Sequence, residues 1–209
     1  MKTAPHLYTD VCHVEAISGS FLPSYATSSN MNTKSKIEKR LSSYWKMEIA
    51  NIVLVPTAII YFTFRADSPV GWLSLFAMLP MCGLLLVGGL YWRGKHMQLK
   101  RNARGLDSAL AFAHRLQYPL LILTLLACLL SASAWINVGL ARGMGDKVAA
   151  TFAAVMAVLE YINYYHRQIQ HFDHMSDFKR LIKGRGFRPA QMNQDLKSWR
   201  NKRRLIKPS

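Results

Sequence analysis

Four long runs of apolar residues, separated by short polar segments, dominate the pattern along this chain. The runs cover about residues 47–64, 71–92, 116–138 and 148–165. Each run approaches the roughly 20 residues that an α-helix needs to cross a hydrocarbon core about 30 Å thick. Apolar residues fill these runs instead of recurring only on one face, as they would in the helices of a water-soluble domain. We therefore predict an all-α integral membrane protein with four transmembrane helices.

Aromatic residues and glycines mark special positions in the second run. Trp72 stands at its start and the pair Tyr91 and Trp92 at its end. Trp and Tyr concentrate at the two membrane interfaces, so these residues set the vertical position of the span. Gly88 and Gly89 lie inside the same run. Because small residues let transmembrane helices approach closely, we interpret these glycines as packing positions.

The formal net charge of +16 is concentrated in alternate connecting segments. Five Lys and Arg residues lie in 34–46, six in 93–115 and twelve from residue 167 onward, while the segments around Arg65 and Arg142 hold three between them. This alternation follows the positive-inside rule and places both termini in the cytoplasm. It predicts an antiparallel bundle in the inner (plasma) membrane. The basic segments lack repeated aromatic residues for base stacking, so nucleic-acid binding is not predicted.

The segments outside the spans divide the chain into four parts. Residues 1–33 are rich in Ser, Thr, Pro and His without a period, and we predict a disordered N-terminal extension there, with Met31 as an independent start of translation. Residues 34–46 predict a basic juxtamembrane helix. Residues 47–166 form the predicted four-helix transmembrane domain. Residues 167–209 form a basic cytoplasmic C-terminal tail with helical segments.

A basic amphipathic helix is predicted near the end of the tail, beginning at Pro189. On this helix Met192, Leu196 and Trp199 share one side. Such a helix lies on an anionic leaflet with its apolar side in the lipid, and each basic residue contributes about 1 kcal/mol. The residues predicted to bind anionic phospholipid headgroups are Lys197, Arg200, Lys202, Arg203 and Arg204.

Ionisable and polar residues enter the last span from its cytoplasmic end. If one helix continues through the stretch EYINYYHRQIQHFDH, these residues share one side of it at 100° per residue. Glu48 and Asn51 lie on one face at the cytoplasmic end of the first span. An acid within an apolar span is a functional candidate. The predicted intramembrane polar cluster consists of Glu48, Asn51, Glu160, Asn163, Tyr164 and Arg167.

Three functions remain open for this cluster. The first, which we prefer, is packing: hydrogen bonds fix helix register in a scaffold, assembly or regulatory subunit that meets other membrane subunits or a second copy of the chain. The second is a small transporter with Glu160 as a titrating carboxylate. The third is a membrane metal enzyme, whose candidate ligands are His166, His171, His174 and Asp177.

Other chemical motifs are missing from the sequence. The three cysteines, Cys12, Cys82 and Cys128, include no CxxC pair, so neither a zinc site nor a disulfide framework is predicted. The chain has no nucleophile elbow and no phosphate-binding glycine loop. We therefore predict no cofactor, and the sequence does not identify a catalytic residue, a substrate or a biological process.

Overall fold

The computed structural model describes residues 25–65, 68, 70–167 and 189–206. These residues form five α-helices and no β-strand, and a short 3-10 turn covers Val138–Leu140. The first four helices are long and apolar enough to cross a membrane, which confirms the predicted all-α class and the predicted number of helices of spanning length. The helices are α1 Tyr25–Arg65, α2 Trp72–Leu99, α3 Ala103–Ile136, α4 Met144–Tyr165 and α5 Gln191–Ile206.

The first and third membrane helices are longer than their predicted spans. Residues 25–33 are helical in the structure, although the sequence predicts disorder there, and residues 34–46 continue without a break into the first span. A helix that already exists extends residue by residue without a new nucleation step, and no Gly or Pro interrupts residues 25–46. The third helix, α3, begins at Ala103, well before the predicted span. The predicted juxtamembrane helix 34–46 is thus part of a longer helix.

Among the membrane helices, α2 and α4 are the most buried. The buried side of α4 carries Ala149, Ala153 and Ala157, each at most 4 % exposed. These alanines are four residues apart, so they form one stripe of small side chains that allows close helix packing. By contrast, α1 leaves large apolar side chains such as Phe62 and Phe64 exposed. Such a surface suits contact with lipid tails.

The basic ends of several helices meet at one end of the structure. Lys100, which follows α2, forms an ion pair of 3.2 Å with Glu38 of α1. The Arg93 guanidinium of α2 lies over the Trp45 ring of α1, 5.9 Å from its centroid. At the opposite end, the first turns of α2 and α4 are bonded to each other through Asp146. Lys100 and Arg93 thus lie at the same end of the bundle, and Asp146 lies at the opposite end.

Candidate functional site

Three of the sequence-predicted site residues lie together on the buried side of α4. Glu160 is 2 % exposed, Asn163 is 7 % exposed and Tyr164 is 3 % exposed. They follow the alanine stripe along the same helix, because residues three and four apart share a helix face. The last two turns of α4 therefore carry a carboxylate, an amide and a phenol into the protein interior.

Glu48 brings a second carboxylate to this place from α1. The Tyr164 hydroxyl faces the carboxylates of both Glu48 and Glu160, and the two carboxylates are close enough to repel each other when ionised. No group in the described part of the chain meets the Tyr164 hydroxyl with regular hydrogen-bond geometry. Asn51, one turn further along α1, is half-buried. We call Glu48, Glu160 and Tyr164 the carboxylate site.

Two glycines of α2 make room for the carboxylate site. A Cβ atom at Gly88 would overlap the Tyr164 hydroxyl. A Cβ atom at Gly89 would lie 2.7 Å from Cδ1 of Ile49 and 3.4 Å from Cβ of Glu48. The absence of side chains at these two positions therefore lets α1 and α4 approach α2 at the level of the site. This is the packing use that the sequence predicts for these glycines.

The predicted continuous helix from Glu160 to His174 is wrong at His166, because α4 ends at Tyr165. The backbone N–H groups of His166 and Arg167 both donate to the carbonyl of Ile162, at 3.0 and 2.8 Å. Two donors on one carbonyl close the last helical turn, as in other C-terminal caps.

A contact with the tail holds this helix end in place. The Ala190 N–H donates to the carbonyl of His166 at 3.1 Å, and Arg167 forms an isolated β-bridge with Pro189. Arg167 is exposed beyond the helix end. It therefore does not share the buried α4 face of the carboxylate site, contrary to the predicted cluster.

The candidate metal ligands are only partly described. His166 is exposed at the end of α4, where its ring lies 5.7 Å from the ring of Tyr161. His171, His174 and Asp177 lie outside the described residues. Within the described ranges, no three His, Cys, Asp or Glu side chains are arranged to hold a metal ion.

Sequence reasoning missed a buried carboxylate at the opposite end of the bundle. Asp146, in the first turn of α4, is fully buried. Its Oδ1 accepts hydrogen bonds of 3.0 Å from the N–H groups of Gly71 and Ser74, and it also bonds the Ser74 hydroxyl. Its Oδ2 accepts from the Arg142 N–H at 3.0 Å. An acid in the first turn of a helix is a known sign of N-terminal capping, and here the capped helix is a neighbouring one.

The surroundings of Asp146 are shaped to hold it. A Cβ atom at Gly71 would overlap the Asp146 carboxylate, so this position has no space for a side chain. Nearby, the Gly145 N–H donates to the Ser68 hydroxyl at 2.7 Å. The carboxylate therefore accepts hydrogen bonds from N–H groups at the start of α2 that have no acceptor within that helix. It also holds the loop before α4 through the Arg142 N–H.

The C-terminal helix α5 packs against the bundle with its apolar side. Met192 and Leu196 are 2 % exposed and Trp199 is 9 % exposed, and the helix contacts α3 and α4. The prediction that this apolar side lies in the lipid leaflet is therefore wrong. Burying a Leu side chain contributes about 2 kcal/mol in a lipid leaflet or against a protein surface. The amphipathic pattern alone therefore does not distinguish a lipid-bound helix from one packed on the bundle.

Two polar contacts join α5 to the bundle. The Asp195 Oδ2 accepts a hydrogen bond of 2.6 Å from the Tyr91 hydroxyl and forms an ion pair of 2.8 Å with Lys95. The Arg200 Nη2 lies 3.1 Å from Nδ1 of His114 and donates to the side-chain carbonyl of Gln117. Arg200, predicted to face a lipid headgroup, is instead directed to α3.

The remaining predicted headgroup-binding residues of α5 are exposed. They are Lys197, Lys202, Arg203 and Arg204. The guanidinium of Arg203 also lies 4.4 Å from the centre of the Trp199 ring, where a cation and the ring face attract each other.

Compared with protein-family models, curated proteins and solved structures, the chain matches none of them. The carboxylate site joins two acids and a phenol from α1 and α4. Such a group can hold helices in register, and it can also exchange a proton or bind a cation. Asp146 has a different use, because its carboxylate oxygens accept backbone N–H groups and the hydroxyl of Ser74.

Proposed function

We propose that this chain is a multi-pass inner-membrane protein of the scaffold, assembly or regulatory class, with both termini in the cytoplasm. Its four membrane helices would form an antiparallel bundle that meets another membrane subunit or a second copy of the chain. The basic ends of the helices support this orientation, because Lys and Arg concentrate in cytoplasmic segments. Lys95 and Lys100 lie at that end, where Lys95 pairs with Asp195 of α5 and Lys100 pairs with Glu38 of α1.

The observation that carries the proposal is the use of polar side chains as connections between helices. Asp146 joins α4 to α2, Asp195 joins α5 to α2, and Arg200 joins α5 to α3. The Tyr165 hydroxyl donates to the carbonyl of Ala113, which joins α4 to α3, at 2.9 Å. Buried polar contacts of this kind specify one arrangement of the helices. A fixed cytoplasmic surface is what a scaffold or regulatory subunit offers to a partner.

The orientation is tested with reporter fusions that are active on only one side of the membrane. Fusions after Asn137 and after Lys207 are expected to report opposite compartments, the second one cytoplasmic. Fusions that report the same compartment would refute the four-span arrangement.

The scaffold class is tested by purification in mild detergent followed by mass spectrometry. We expect a partner, or a second copy of the chain, in stoichiometric amount. Leu196→Asp should release a partner that is held through α5, because a charge cannot remain in the buried contact. Asp107→Asn, which changes an exposed carboxylate on α3, is the control. A chain that purifies alone as a monomer would contradict the proposal.

Transport is the second candidate, and the carboxylate site is the specific observation in its favour. Glu48 and Glu160 come from two helices and face one hydroxyl. Two carboxylates at close range repel each other when ionised, and this repulsion is relieved by a proton or a cation. The helix that carries Glu48 is also the most exposed of the membrane helices.

This candidate is tested in vesicles that contain the purified protein and an internal pH-sensitive dye. If the site exchanges protons, an imposed cation gradient drives a pH change that Glu160→Gln and Glu48→Gln each abolish, since an amide does not titrate. Asp107→Asn is expected to keep the activity. No pH change with the parent protein under proton, sodium and potassium gradients would leave the scaffold class as the function.

A further inference from the structure

The docked α5 places a row of basic side chains beside the start of the lipid-facing surface of α3. Lys197, Arg200 and Arg204 are spaced at i, i+3 and i+7, so they follow one flank of α5. Arg200, in the middle of the row, contacts His114 and Gln117 of α3. The row is therefore fixed in position next to α3, with Lys197 and Arg204 exposed on either side.

A stripe of exposed apolar side chains begins on α3 directly after Gln117. Its members are 53–65 % exposed and share one face, at i, i+4, i+7 and i+11. They are Tyr118, Ile122, Leu125 and Leu129. A stripe of this kind on a membrane helix faces lipid tails, and a Tyr at its end is typical of the interface.

The spacing along α3 puts Arg200, the middle member of the basic row, at the level of the headgroups. Tyr118 follows His114 by four residues, which is about 6 Å along a helix. The polar layer on each side of a bilayer is about 5–8 Å thick, from a hydrocarbon core of about 30 Å and a total of about 40–45 Å. If Tyr118 marks the edge of the hydrocarbon core, His114 and its partner Arg200 lie within the headgroup layer.

We propose that Lys197 and Arg204, held in place by Arg200, bind the phosphate of an anionic phospholipid headgroup. The apolar side of α5 formed by Met192, Leu196 and Trp199 is already buried on the bundle, so the helix meets lipid mainly through its exposed basic side chains. An anionic headgroup fits because it lies at this depth, complements both cations and is continuous with the lipid that covers the α3 stripe. The inference concerns lipid binding by the folded chain and does not depend on the proposed scaffold function.

The test compares lipid retention by the full-length protein after reconstitution with equal amounts of phosphatidylglycerol and phosphatidylcholine. The protein is returned to mild detergent, and native mass spectrometry counts the bound lipids. The parent is expected to keep phosphatidylglycerol in preference to phosphatidylcholine. The variant Lys197→Gln/Arg204→Gln should bind phosphatidylglycerol about 30-fold more weakly, from about fivefold for each basic side chain near an anionic surface.

Two further variants separate this site from general charge. Arg65→Gln/Arg142→Gln removes the same charge from exposed side chains elsewhere on the chain and is expected to retain phosphatidylglycerol. The exchange Lys197→Arg/Arg204→Lys keeps both charges and should also retain it. Circular dichroism checks that each variant is folded.

The proposal also requires that binding falls as salt rises, because the contact is between exposed charges. Excess glycerol phosphate should compete poorly, since it lacks the tails that rest on the α3 stripe. Equal retention of the two lipids by the parent, or unchanged retention by Lys197→Gln/Arg204→Gln, would overturn it. Efficient displacement by glycerol phosphate or by an acidic peptide would also overturn it, by showing a site for a soluble anion.

Discussion

Asp146 caps a helix to which it does not belong: its carboxylate accepts the N–H and the hydroxyl of Ser74, 72 residues earlier in the chain, in the first turn of α2. The Ser74 hydroxyl also lies 3.0 Å from the backbone carbonyl of Asp146. Both side chains are fully buried. The first turns of α2 and α4 therefore share one hydrogen-bonded group, which also includes the N–H groups of Gly71 and Arg142 just before the two helices.

Removing the Asp146 carboxylate should destabilise the bundle. Asp146→Ala leaves the buried N–H groups of Gly71 and Ser74 and the partly buried N–H of Arg142 without their acceptor, at a cost of about 3 kcal/mol or more. Asp146→Asn keeps one acceptor oxygen but loses the charge and places an amide NH₂ near these donors, so we expect a loss of about 1–2 kcal/mol. Thermal unfolding in detergent measures both. A parent-like melting temperature for Asp146→Ala would contradict the shared cap.

Gly88→Ala should destabilise the protein, although alanine is the better helix former. The added methyl group would overlap the Tyr164 hydroxyl, and overpacking of this kind costs about 1–3 kcal/mol. Gly139→Ala is the matched control, because a Cβ atom there meets no atom within 4 Å. Thermal unfolding should separate the two variants clearly. If both behave alike, the close approach of α2 and α4 at Gly88 is not present in solution.

Replacing Asp195 by Ala should loosen α5 without unfolding the membrane helices. The change removes the acceptor of the Tyr91 hydroxyl and the ion-pair partner of Lys95, for a local loss of about 2 kcal/mol. Hydrogen exchange should therefore rise in residues 191–206 and stay unchanged in α2 and α4. The exposed Asp107→Ala on α3 is the control. Unchanged protection of 191–206 would mean that the apolar contacts of α5 are sufficient by themselves.

Glu160→Gln should leave stability within about 1 kcal/mol of the parent, because the amide keeps polar contacts and removes the repulsion from Glu48. Glu160→Ala should be less stable, since it leaves a gap and neighbouring polar groups without a partner. Thermal unfolding in the same detergent compares the two. A Gln variant that is less stable than the Ala variant would show that the charge of Glu160 is itself required for folding.

The class of this protein follows from the sequence, since a long apolar run favours a membrane helix wherever it occurs along the chain. The same holds for Gly88 and Gly89, whose small size in an apolar run indicates close packing before any neighbour is known. The grouping of Glu160, Asn163 and Tyr164 on one face also depends only on helix periodicity. These properties are local, so the sequence determines them without knowledge of the partners.

Only the tertiary structure shows which residues the helices contact and where α4 ends. Helix periodicity predicts that the polar face continues beyond His166. The structure instead ends α4 at Tyr165, and the carbonyl of the next residue, His166, accepts the Ala190 N–H. The apolar side of α5 fits a lipid leaflet and a protein surface equally well, and contact with the bundle covers it with protein. The sequence around Asp146 does not indicate a partner for its carboxylate, because only the packing of α4 against α2 brings the start of α2 beside it. Contacts between residues distant in the chain depend on how the helices pack, and local patterns do not contain that information.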